Sequence, residues 1–222
     1  MATVLLTGFE AFGNTPINPA ESVTRLLDGT RFNNSEITGR IVPNIFFDCI
    51  DVVRASIEEV CPDIVIMMGE YGGRAAITVE RIAQNLNDST RYQLSDNHGR
   101  SLQDQLTVSD GPVAYRSTLP LRAMVKAMRE AGVPAYISDA PGTFCCNHLM
   151  YGILHHISTS NLGIRAGWIH LPHLPSVASM SENMGAPSMS VETAAMGVEA
   201  SVRAALENQT DISEASASRL QI

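Results

Sequence analysis

Ile64-Val65-Ile66-Met67-Met68 is an unbroken apolar run that ends at Gly69. A strand exposed on one face alternates apolar and polar side chains, whereas one covered on both faces is apolar throughout. The run therefore predicts a central strand in a sheet with a layer on each side. Upstream, Ile50, Val53, Ile57 and Val60 recur at helical spacing until Pro62 stops the helix. Earlier still, Val4–Leu6 reads as a buried strand, Ala20–Leu27 as a helix and Ile37–Val42 as a second strand. Downstream, Ile77–Ile82 and Ala135–Ser138 read as strands, with a helix over Leu121–Ala131 that ends at Gly132. Leu149, Met150, Ile153, Leu154 and Ile157 mark a helix after Cys146, Gly167–Leu171 the last strong strand and Val191–Leu206 the last helix. Strands that alternate with helices in this way define an α/β domain.

The chain has 222 residues, enough for one good-sized core, and no internal repeat. Tyr92–Pro112 lacks periodicity and reads as a long surface loop or hairpin, and the polar, serine-rich residues 208–222 read as a fraying tail. A net charge of −8 with scattered basic residues argues against nucleic acid, which needs a lysine and arginine footprint, and against an anionic membrane surface. No apolar run approaches the roughly 18 residues of a membrane span. The opening Met-Ala-Thr-Val-Leu-Leu-Thr-Gly lacks a basic region and reads as a first strand instead of a signal peptide. The four cysteines, Cys49, Cys61 and the adjacent Cys145 and Cys146, do not suit a disulfide framework. These features place the chain in the cytoplasm, where the sequons at Asn33, Asn87 and Asn208 carry no glycan.

Cys145-Cys146-Asn147 follows the turn signal Pro141-Gly142-Thr143 and opens a helix. Unpaired N–H groups and the positive end of the dipole stabilise a thiolate at that place and can hold an oxyanion. Free cysteines are more often small buried hydrophobes, and position alone leaves that reading open. A cysteine nucleophile needs a base, and the base an orienting partner. His170 stands at the end of the strand Gly167–His170, where open α/β sheets form their crevices; alone, the favoured reading is a satisfied loop histidine. Glu80, in Ile77-Thr78-Val79-Glu80-Arg81, reads by composition as a solvated charge paired with Arg74 or Arg81. His170-x-x-His173 and the His155-His156 pair lack a zinc-site spacing, and the glycines of Gly69–Arg74 fit neither phosphate-loop pattern, so neither a metal site nor a phosphate loop is expected.

Together these stretches resemble the signatures of the pyroglutamyl-peptidase I family of cysteine peptidases. Leu6-Thr7-Gly8-Phe9-Glu10-Ala11-Phe12-Gly13, continuing to Asn18-Pro19, is similar to the family's opening strand and substrate loop. Gly72-Gly73-Arg74 through Arg81 resembles its glutamate motif, Gly142–His148 its nucleophile motif and Trp168–Pro172 its histidine motif. The resemblance runs in order over roughly residues 3–180. It implies a single catalytic domain over residues 1–207, three-layered α/β/α with a mixed, mostly parallel twisted sheet, and a homotetramer that needs no cofactor. It also implies hydrolysis of the amide bond after an N-terminal pyroglutamyl residue: Cys146 attacks, His170 shuttles the proton and Glu80 orients the imidazole. Phe9 and Phe12 match aromatic residues that sandwich the lactam ring, an uncharged flat group suited to aromatic faces, and Asn18 matches a residue that braces the loop.

Three positions depart from the family pattern. Pro141 stands where alanine is usual and removes a backbone N–H. Cys145 stands where valine is common. Glu70 stands where a lactam-recognising glutamine is usual, and a carboxylate accepts hydrogen bonds but donates one only when protonated. Glu70 and Pro141 keep a second reading open, a catalytically silent or specificity-shifted binding protein on the same fold. The segment Asp88–Asn97 is longer than usual, so the resemblance assigns no role to Arg91.

Overall fold

The computed structural model describes residues 2–13, 15–32 and 34–218. The sequon at Asn33 and residues 219–222 of the tail lie outside the described residues. The apolar run at residue 64 becomes β4 (Ile64–Glu70), every residue of which is buried. β4 lies between β1 (Ala2–Phe9) and β9 (Arg165–Leu171), both parallel to it. β3 (Ser35–Val42) extends the parallel set beyond β1, and β2 (Arg31–Phe32) closes that edge in antiparallel pairing. On the other side β5 (Ile77–Glu80) runs antiparallel to β9 and parallel to β8 (Ala135–Ser138). The order is β2-β3-β1-β4-β9-β5-β8, a mixed and mostly parallel sheet.

Side-chain alternation along the strands divides the core in two. Val4, Leu6, Ile64, Ile66 and Met68 pack toward α1 (Pro19–Leu27), α3 (Leu121–Glu130) and α6 (Val191–Glu207). Leu5, Val65, Met67 and Trp168 pack toward α2 (Asp48–Val60) and α4 (Cys145–Thr159). Both faces of the sheet are covered, which is why β4 carries no polar residue before its last position. The result is a three-layered α/β/α domain, completed by the short α5 (Pro175–Ala178).

The strand expected over Ile77–Ile82 is two. β5 ends at Glu80, and β6 (Ile82–Gln84) pairs with β7 (Ala114–Arg116) in a separate ribbon. At the break, the Arg81 N–H donates to Ser138 O while its carbonyl accepts from Ser117 N, so the backbone changes partners at one residue. The long aperiodic segment that follows is tied down by Asp96, whose carboxylate accepts from the N–H groups of Phe46, His98 and Arg100. Beyond α6, Asp211 accepts from the N–H groups of Arg122 and Ala123 at 3.0 and 3.1 Å, at a helix start that Pro120 leaves uncapped. Among the described residues, no helix is long and apolar enough to cross a membrane.

Candidate active site

The C-terminal ends of parallel strands expose unpaired backbone and leave a crevice, and here that crevice receives side chains from five segments. Its lining includes Phe12 from the loop after β1, Glu70 and Tyr71 at the end of β4, Tyr92 and Leu94 from the long loop, Pro141–Phe144 before α4, Cys146 and His170. The cleft measures about 230 Å³, below the roughly 300–1,000 Å³ of drug-sized sites, and suits a single small ring.

Cys146 is the second residue of α4, and no side chain caps that helix, so its first-turn N–H groups are free for an incoming acceptor. The start of α4 is held rigidly. Asn147 accepts from Gln84 N and donates to the carbonyls of Gln84 and Leu86. His148 accepts from Phe47 N through Nε2 and meets Asn87 and Thr107 through Nδ1, so both of its ring nitrogens are engaged in structure. Gly69 makes room for the thiol: a Cβ there would lie 3.0 Å from Cys146 Sγ and 2.8 Å from Trp168. The dipole argument predicts a lowered thiol pKa, but burial pushes Cys146 up, and the nearby carboxylates of Glu80 and Glu70 add to the effect. Cys145 is fully buried in the core, where desolvation and the neighbouring thiols raise it as well.

His170 faces Glu80 across the β5–β9 pairing. Nδ1 lies 2.8 Å from Glu80 Oε1, and the two side chains are 1% and 0% exposed. The same oxygen accepts from Arg74 at 2.8 Å and from Thr78 at 3.0 Å, while Arg74 also contacts the Thr78 hydroxyl closely. Arg81, the other candidate partner for Glu80, turns outward to Asp139 instead. Glu80 is thus paired with Arg74, as composition suggests, but inside the protein. Burial raises its pKa, yet the hydrogen bond and charge of His170, the charge of Arg74 and Ser138 outweigh burial and hold it at about 2. His170 is lowered, first by burial and further by Arg74, against the opposing pull of Glu80. The stable arrangement is an ionised carboxylate, a neutral imidazole with its proton on Nδ1, and a protonated thiol.

The remaining candidates divide. Phe12 and Glu70 line the cleft. Phe9 lies behind it, 1% exposed and packed on Trp168 at 5.4 Å. Asn18 is buried as the N-cap of α1: its Oδ1 accepts from Ala20 N and its Nδ2 donates to Glu10 O, which fixes the loop that carries Phe12. Pro141 lines the cleft beside Gly142, whose φ of 82° suits glycine. Tyr71, Tyr92, Leu94 and Phe144 line it without having been singled out in the sequence; only the adjacency of Phe144 and Tyr71 to motif residues could have flagged them. His170 and His173 bond to different carboxylates, and among the described residues no group of three His, Cys, Asp or Glu side chains could hold a metal.

With this geometry in hand, the relatives are informative. The pyroglutamyl peptidase family model matches residues 2–208. A protein named pyrrolidone-carboxylate peptidase from Mycobacterium tuberculosis is 55% identical over 222 residues, covering all of both chains. One of the same name from Bacillus cytotoxicus is 42% identical over 96% of this chain and 97% of its own. The crystal structure of Bacillus amyloliquefaciens pyroglutamyl peptidase I superimposes with a TM-score of 0.91 at 34% identity, covering 96% of this chain and all of that one. Fold, length and sequence agree throughout, and the chain belongs to the pyroglutamyl peptidase family.

Proposed function

We propose that this protein is a cysteine exopeptidase that hydrolyses the amide bond after an N-terminal pyroglutamyl residue, with Cys146, His170 and Glu80 as its catalytic set. The observation that carries the reading is the buried Glu80–His170 pair opening onto the same small cleft as Cys146. Glu80 accepts the Nδ1 proton and so presents the basic Nε2 to the thiol. Because burial keeps the resting thiol protonated, His170 removes the Sγ proton as sulfur attacks the pyroglutamyl carbonyl carbon. The carbonyl oxygen gains the negative charge, and the N–H groups at the start of α4 receive it. Collapse breaks the C–N bond, the protonated His170 gives its proton to the departing amine, and a thioester remains. Water, deprotonated by His170, then frees pyroglutamate and restores the thiol. Arg74 keeps Glu80 ionised, so the imidazolium that forms in each step has an anionic partner.

In this reading Phe12 lies against the lactam ring, Glu70 accepts its N–H, and Phe9 and Asn18 support the wall from behind. Residues 1–207 form the catalytic unit. The four cysteines are free, which suits the reducing cytoplasm. A homotetramer is part of the same proposal, on the strength of the family resemblance, and light scattering after size exclusion checks it. The function itself is tested by release of a chromophore from a pyroglutamyl amide, with and without prior alkylation. Release that alkylation abolishes is the expected result. Binding of the amide without release, by a protein with intact thiols, would instead make it a binding protein on this fold.

A further inference from the structure

His173 lies three residues beyond His170, outside β9, and its Nδ1 is 2.7 Å from Glu70 Oε1. Glu70 is the last residue of β4, with a side chain 2% exposed, while that of His173 is 13% exposed. The backbone of His173 is pinned by Met189 N, which donates to its carbonyl at 2.9 Å. Its ring is seated against Gly72, where a Cβ would meet Nε2 at 2.3 Å. A side chain at residue 72 would thus displace the ring from Glu70. Two independent features, a short hydrogen bond and a glycine cradle, fix the same imidazole on the same carboxylate.

A buried carboxylate at the end of a ligand cleft needs a partner, since desolvation disfavours its charge. Desolvation does raise Glu70, and His173 opposes it, with help from the Thr15 hydroxyl. His173 occupies Oε1 only, and the carboxylate has a second oxygen for the cleft. Held this way, Glu70 offers one oriented carboxylate oxygen to a ring N–H in the cleft.

We infer that His173 is a specificity-positioning residue: its Nδ1–H orients Glu70 so that the remaining carboxylate oxygen selects a ring that carries an N–H. The inference rests on the reading that the cleft takes a pyroglutamyl ring, and it adds the residue that makes Glu70 serve where glutamine is usual. His173 touches no reacting atom, so it governs ring recognition and leaves bond cleavage alone.

The test compares kcat and KM for a pyroglutamyl amide and for its carbocyclic analogue, in which CH2 replaces the ring N–H. The wild-type enzyme is expected to prefer the lactam on the order of tenfold or more in kcat/KM, the scale of a hydrogen bond to a charged group. His173→Phe should raise KM for the lactam by about that factor, change kcat by less than threefold and erase the preference. His173→Asn, whose side-chain N–H falls near the position of Nδ1, should keep most of it. A folded His173→Phe variant that retains the wild-type preference would overturn the inference. If the Phe variant does not fold, His173→Ala decides, since it removes the donor without adding bulk: retention of the wild-type preference in a folded His173→Ala protein overturns the inference, and its loss there with recovery in His173→Asn supports it. A wild-type protein that cleaves neither compound would refute the proposed activity itself, a different outcome from a wild-type enzyme that cleaves both equally, which would refute only the role of Glu70 and His173.

Discussion

Glu80 Oε1 and His170 Nδ1 meet at 2.8 Å with the carboxylate wholly buried and the imidazole exposed only at the cleft. The bond sets the tautomer of the imidazole and, together with the nearby charge of Arg74, keeps the carboxylate ionised. A base that is buried and neutral, backed by an anion that is buried and paired, is an arrangement that gains a proton only while another charge forms beside it.

The first prediction follows from that pair. His170→Ala should lower kcat by on the order of 10⁴, the usual scale for loss of a triad member, and Glu80→Gln by a smaller but still large factor, with folding intact by circular dichroism. The same pair fixes an acid limit to stability. Glu80 has a folded pKa of about 2 against an ordinary 4.5, so its contribution is complete above pH 4.5 and is lost as pH falls toward 2, a span on the order of 3 kcal/mol by linkage. His170 is depressed below 6.5, so its preference for the neutral form also favours the fold above pH 6.5 and weakens it in acid. Urea midpoints measured from pH 7 to pH 3 should fall steeply for the wild type and less steeply for Glu80→Gln. Parallel curves for the two proteins would mean that the carboxylate is not held down by the fold.

Thiol chemistry gives the second prediction. Cys61 is exposed, whereas Cys49, Cys145 and Cys146 are buried. Iodoacetamide should therefore label Cys61 first with no loss of activity, and inactivation should track the slower labelling of Cys146. Because burial and the carboxylates of Glu80 and Glu70 raise the Cys146 pKa, the inactivation rate should keep rising through pH 9. A plateau reached below pH 7 would instead reveal a preformed thiolate. Inactivation that tracks Cys145, or full activity in Cys146→Ser, would remove Cys146 from the mechanism.

How much of this could be read from the chain depends on which forces act locally. β4 was legible because burial on both faces writes itself into consecutive residues, and the edge strand over Ala135–Ser138 is also found as expected. β7 was not legible: its three residues, Ala114–Arg116, are a strand only because β6 lies beside them. Cys146, His170 and Glu80 stood out because turn, strand end and motif coincide in sequence. The partnership of Glu70 with His173 spans 103 positions and that of Glu80 with His170 spans 90; no local periodicity records such contacts. The raised thiol pKa was missed for the same reason, since the helix dipole is a local property and burial is a global one.

Asn18 provides the third prediction. It caps α1 through Ala20 N and holds the Glu10 carbonyl, entirely out of solvent. Asn18→Ala deletes the cap, which costs about 1–2 kcal/mol, and also leaves a buried carbonyl without its donor. The melting temperature should fall by several degrees, and KM should rise as the loop bearing Phe12 loosens, with kcat less affected. Asn18→Asp retains the cap acceptor while losing the donor, and should lie between the two. An alanine variant with wild-type stability and KM would show that the loop is held by other contacts.

The last prediction concerns Gly69, which lies next to His170 in the β4–β9 register. Its φ falls in the ordinary range, so alanine is excluded by space and not by backbone conformation. The added Cβ would sit 2.8 Å from Trp168, 3.0 Å from Cys146 Sγ and 3.6 Å from Phe9. Trp168 and Phe9 are almost fully buried and packed on each other, so neither can retreat without moving the core. The thiol borders the cleft and is the group with room to shift. Overpacking of this kind costs typically 1–3 kcal/mol of stability, and the sulfur has to give by a few tenths of an ångström, a fraction of the roughly 1 Å misplacement that costs on the order of 10² in rate. Gly69→Ala should therefore lower kcat by on the order of tenfold while KM for the pyroglutamyl amide changes little, since Phe12 and Glu70 are not touched. Trp168→Phe in the same chain removes the nearest of the three contacts and should restore part of the rate. A Gly69→Ala enzyme with normal kcat would place the reacting sulfur elsewhere than against β4.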